Sequence, residues 1–119
     1  MKVNYETLDK LYNQIGKLRK KAINKIIWLL KEIGGKVVIT NQLAIELQEY
    51  FLTPEICCQG IDDNGVATTA SIYKIYYDKK DKKVYINFWA NNKSFEIKNC
   101  PYDDILFLIE VLLYIKENK

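Results

Sequence analysis

Along the first thirty-odd residues, apolar side chains return every three or four positions: Leu8, Leu11, Tyr12, Ile15, Leu18, Ala22, Ile26, Leu29, Leu30 and Ile33. That spacing draws one stripe on a helix. It predicts a helix from about Tyr5 to Ile33 with the stripe turned to the core. Gly34-Gly35 follows directly and supplies the left-handed backbone that ends a helix. Gly16 interrupts the pattern at a cost of about 1 kcal/mol relative to Ala, so a bend or break would fall there.

The period then changes. Lys36-Val37-Val38-Ile39-Thr40 suits a short strand. Residues 41–52 stay open between a helical turn carrying Leu43, Leu47 and Tyr50 and an extended segment. Thr53-Pro54-Glu55 either starts a helix or marks a turn before a strand at 56–61. Asp62-Asp63-Asn64-Gly65 is the strongest turn signal, because Asn-Gly tolerates the positive φ angles of tight hairpins. Thr69–Tyr77 and Lys83–Ala90 are rich in β-branched and aromatic residues, with a polar linker at 78–82 between them. Asn91-Asn92 turns into Ser94-Phe95-Glu96-Ile97, whose alternation puts Phe95 and Ile97 on one face.

Asn99-Cys100-Pro101-Tyr102-Asp103-Asp104 opens a last helix, with proline in its first turn and acids complementing the helix dipole. Its apolar run, residues 105–115, contains one polar side chain, Glu110. A surface helix shows water a polar face, so this one must be covered on more than one side. At about 100° per residue, Ile105, Leu108, Ile109, Leu112 and Ile115 form the sheet-facing stripe, and Phe107, Glu110 and Tyr114 fall opposite. Either the first helix packs over Phe107 and Tyr114, or something outside the chain does.

The expected fold is α+β: a long N-terminal helix, an antiparallel β-meander of three to five strands, and a C-terminal helix on one sheet face. The 119 residues suit a single domain spanning 1–119. An apolar content of 49% with 28% charge fits a folded chain.

Net charge is only +3, too mild to demand a polyanion, but it is uneven. Residues 1–35 carry eight Lys/Arg against three Asp/Glu, and residues 36–70 carry one Lys against five acids. On the first helix Lys10, Lys17, Lys21 and Trp28 lie behind the apolar stripe. A backbone-driven nucleic-acid grip would use Lys17, Arg19, Lys20, Lys21 and Lys25 on phosphates and Trp28 against a base. Of the 18 basic residues 17 are Lys, so bidentate reading of guanine by Arg is disfavoured. The abundance of Lys, Asn and Ile is what an AT-rich coding genome produces, such as that of a bacterium or its mobile elements.

The chemistry of catalysis is thin. The chain has no histidine, which removes Ser-His-Asp and Cys-His sites and the commonest metal ligand. Cys57-Cys58 lacks the C-x-x-C spacing of zinc and redox sites, and Cys100 is the third thiol. The carboxylate pairs Asp62/Asp63 and Asp103/Asp104 sit in a turn and at a helix start. Asp62-x-Asn64 begins like a calcium loop, but Val66 stands where an oxygen ligand is wanted. No glycine-rich phosphate loop is present. An enzyme would have to use carboxylate, Lys or Tyr chemistry, with a deep pocket at Asp62, Asp63 or Glu55 as its sign. No catalytic residue, cofactor or metal site is assigned.

The N-terminal residues lack the apolar run of a signal peptide, and no apolar stretch reaches the roughly 18–20 residues that span a bilayer. An odd number of cysteines argues against a disulfide framework, so the expected compartment is the reduced cytoplasm, with no membrane partner. The expected function is a small non-enzymatic binding protein working through protein–protein contacts, as an accessory, inhibitor or regulatory module. Its expected contacts are Phe107, Glu110, Tyr114 and Trp28, and self-association as a homodimer is expected. Nucleic acid bound by the basic face of the first helix is the alternative.

Overall fold

The structure is a computed structural model that describes residues 5–62 and 64–118. Among the described residues, three α-helices and five antiparallel strands form an α+β fold, as the periodicity predicts. Helix α1 runs Tyr5–Ile33 without interruption at Gly16. It stops where Gly34 and Gly35 take φ of 122° and 93° and both donate their N–H to the Leu30 carbonyl, at 3.0 and 2.7 Å. Strand β1 (Lys36–Val38) leads into helix α2 (Asn41–Phe51), which settles the open segment as helical. The deciding signal is a cap: Thr40 has extended backbone and its hydroxyl accepts from Leu43 N–H at 3.2 Å. Leu43 and Leu47 face the core.

Thr53-Pro54-Glu55 is a turn, not a helix start, and β2 (Cys57–Ile61) follows. The hairpin into β3 (Ala67–Asp78) closes as expected. Gly65 sits at φ 78°, and Asp62 Oδ1 accepts from the N–H groups of Asn64 and Val66 at 2.9 and 2.8 Å. Asp63 lies outside the described residues. Then come β4 (Lys83–Phe88) and β5 (Asn91–Glu96), a 3-10 turn at Ile97–Asn99, and helix α3 (Tyr102–Asn118).

The sheet order is β1-β3-β4-β5, with β2 also on β3. Strand β3 is long enough to pair β2 along Ala67–Ser71 and β1 along Lys74–Tyr76. A bulge between Ile72 and Lys74 separates the two stretches on the β4 side. One sheet face carries Ile72, Ile75, Val84, Ile86, Phe88 and Phe95, all buried. The helices lie on this face. The other shows Lys74, Tyr76, Tyr85 and Asn87, with Tyr76 stacked on Tyr85 at 5.6 Å.

Helix α3 buries Ile105, Leu108, Val111, Leu112 and Ile115. Val111 takes the place expected of Ile109, which stays half-buried. Helix α3 lies beside α1 and runs the same way. Arg19 of α1 reaches the carbonyls of Lys98 and Cys100 just before α3, while Lys116 near its end lies over Trp28. Among the described residues no helix is long and apolar enough to cross a membrane.

Candidate functional site

Among the described residues, no body lies beneath the first half of α1. From Ala22 onward its stripe is buried, with Ile26, Leu29 and Leu30 fully covered. Toward the N-terminus the same stripe is in water: Leu11 is 48% exposed, Tyr12 69%, Ile15 50% and Leu18 49%. The expectation that the whole stripe is core therefore fails for these four residues, and the reason is length. A 29-residue helix spans about 43 Å at 1.5 Å per residue, whereas the 17-residue α3 beside it spans about 26 Å. Helix α3 starts beside Arg19 and runs toward the C-terminal end of α1, so the arm on the N-terminal side of Arg19 has no part of α3 beside it.

At 100° per residue, Leu11, Ile15 and Leu18 lie on the same side of the helix as Ala22, Ile26 and Leu29. The exposed stripe thus looks toward the side on which the body sits, just ahead of where the body begins. The arm's other faces are polar: Lys10, Lys17, Lys20 and Lys21 are exposed, with Glu6 and Asp9 near its start.

Arg19 pins the root of this arm. Its Nε donates to the Lys98 carbonyl at 3.2 Å and its Nη2 to the same oxygen at 2.6 Å, and Nη2 also donates to the Cys100 carbonyl. The guanidinium that the sequence offered as a phosphate contact is thus turned to backbone. Lys17, Lys20, Lys21 and Lys25 stay exposed. Trp28 is 45% exposed, and the ammonium groups of Lys25 and Lys116 lie 4.5 and 4.6 Å from its ring. These two cations stand where a stacked base would go.

Phe107 and Tyr114 are half-buried, and aromatic side chains from within the chain pack on them. The end of α2 supplies these rings. Phe51 meets Phe107 edge-on at 5.4 Å, and Tyr50 lies 4.4 Å from Tyr114. This cluster was illegible in the sequence because residues 41–52 had no settled conformation. Glu110 remains exposed between the two aromatics.

The carboxylates are dispersed. Asp62 holds its turn and borders a cleft of about 360 Å³ with Tyr85, Ser94 and Glu96. Glu55 lines a separate cleft of about 340 Å³ and accepts from the Ser71 hydroxyl. Asp104 accepts from Gln59 N–H at 2.8 Å, tying the start of α3 to β2. Among the described residues no three His, Cys, Asp or Glu side chains are grouped to hold a metal ion. Tyr85 donates to Asp81 at 2.9 Å, and that bond pushes its phenol up to about 12.

Cys57 and Cys58 point to opposite faces, half-buried and buried. The Cys58 thiol is raised by its hydrogen bond with Cys100 and then by burial. Burial raises Cys57 too, helped by Glu55 and Asp104. Neither has the low-pKa thiolate of a reactive cysteine. No protein family, curated protein or solved structure matches the chain.

Proposed function

We infer that the protein is a non-enzymatic binding module whose adhesive surface is the arm of α1. The observation that carries this is the continuous stripe Leu11, Tyr12, Ile15 and Leu18 standing about half or more in water on a helix whose other half is core. The stripe leaves on the order of 400 Å² of apolar surface uncovered, within the size that marks an interaction site on a monomer. Covering it contributes on the order of 10 kcal/mol before the costs of association, themselves about 4–15 kcal/mol. Lysines along the stripe's polar flanks keep the free arm soluble and set a polar rim around an apolar centre, as protein interfaces have.

Phe107 and Tyr114, already covered by Tyr50 and Phe51, take a lesser part in this reading. Trp28 and Glu110 stay as exposed side chains of the body. The nucleic-acid alternative is weakened by Arg19, which is spent on backbone carbonyls, and by the two lysines over Trp28.

A photoreactive phenylalanine at Tyr12, compared with one at Lys17 on the back of the helix, tests the reading in the native host. Protein adducts from Tyr12 with few from Lys17 are expected. Equal yields from both faces, or adducts to nucleic acid from Lys17 alone, would overturn it.

A further inference from the structure

We propose that the partner of the arm is a second copy of this chain, paired antiparallel through Leu8, Leu11, Ile15 and Leu18. This rests on the reading of the stripe as a protein-binding surface and names what covers it.

The spacing is the first argument. Leu8, Leu11, Ile15, Leu18 and Ala22 recur at alternating steps of three and four, the a and d positions of a heptad. Reversing a copy about Asn13 sets Leu8 opposite Leu18 and Leu11 opposite Ile15. The partner repeats the same contacts, so four apolar layers close with no polar residue in the seam. The interface is self-complementary, as a two-fold pair requires. Tyr12 lies at the seam's edge, close to the two-fold axis, where it meets its own copy.

The position of the body is the second argument. It occupies the same side of α1 as the stripe, beginning at Ala22. Two copies laid parallel with stripes facing would drive both bodies into the same space. Laid antiparallel, each arm lies ahead of its own body and ends near the root of the partner's. The slot between the two bodies is as long as the overlap.

Charge gives the same orientation. Lys17, Arg19, Lys20 and Lys21 cluster at the arm's root, whereas over residues 5–10 at its start Glu6 and Asp9 outnumber Lys10. In a parallel pair the two basic clusters would stand side by side. In the antiparallel pair they are about 18 Å apart along the axis, roughly two Debye lengths at physiological ionic strength. Each basic cluster then lies level with the acid-bearing end of its partner. The stripe is about half the roughly 800 Å² per partner of a standard interface, so a micromolar rather than nanomolar dimer is expected.

Sedimentation equilibrium across the micromolar range tests the pairing. The wild type is expected to pass from monomer to dimer, and Ile15→Glu to stay monomeric while its body melts as the dilute wild type does. A wild type that stays monomeric throughout overturns self-pairing. That failure is distinct from failure of the broader reading, which the adducts from Tyr12 decide. Orientation is read by thiol cross-linking in a Cys57→Ser background. Leu11→Cys mixed with Ile15→Cys is expected to form the inter-copy disulfide readily, and each alone poorly. Efficient cross-linking of either variant with itself would overturn the antiparallel register.

Discussion

Leu11 and Leu29 share a helix, a stripe and a side chain, yet their loss should differ severalfold. Leu29 is fully buried under the body, whereas Leu11 is half in water. Replacing Leu29 by Ala removes three carbons, roughly 2.4 kcal/mol of transfer free energy at about 0.8 per methylene. The cavity left in a close-packed core adds to this, within the about 2–5 kcal/mol seen for such changes, so about 3 kcal/mol is expected. At Leu11 at most half of the transfer term is present, and water fills the space, so the dilute protein should lose less than about 1 kcal/mol. For a domain of this size 3 kcal/mol lowers the melting temperature by roughly 12 °C. Urea unfolding of both variants at low and high protein concentration is the assay. The Leu29→Ala loss should be present at both concentrations. The Leu11→Ala loss should be small when dilute and grow with concentration as the dimer fills. Equal losses from the two variants in dilute protein would refute the argument, because the arm would then be packed on its own body in solution.

Gly60→Ala should cost about 1–3 kcal/mol by urea unfolding, because the added carbon would stand 2.9 Å from Phe88 Cε2 and 3.2 Å from Phe95 Cδ1 in buried rings. A neutral result would show that β2 does not pack over β5. Arg19→Met should cost about 1.5–3 kcal/mol by stripping two backbone carbonyls of a charged donor, with hydrogen exchange rising at residues 97–100. Asp81→Asn should bring the Tyr85 phenol down from about 12 toward 10 in an ultraviolet titration. A raised phenol stabilises the fold fully below the unfolded pKa, near 10, and the contribution is lost as pH climbs toward 12, so over that range the wild type should lose more stability than the variant and the difference between the two should close.

The sequence by itself determined the local structure. The three- and four-residue period placed α1, Gly34-Gly35 ended it, Asn64-Gly65 turned the hairpin, and alternation placed β3, β4 and Phe95. Each signal is carried by neighbouring residues, which is why each survived. It also determined what chemistry the chain lacks, since no arrangement supplies an absent histidine.

Only the tertiary structure decided which half of the long stripe is core. The repeat Leu8 to Leu18 reads the same as Ala22 to Leu29, because periodicity records a face and not what lies against it. Cover comes from elements far away in sequence: α3 begins only beside the second half of α1, and Arg19 fastens that boundary to Lys98 and Cys100 some eighty positions on. The same holds for Phe107 and Tyr114, whose cover arrives from an α2 that only the Thr40 cap and its packing made helical. Burial is a non-local quantity, so a candidate interface that consists of missing cover shows only once the fold has used up the rest.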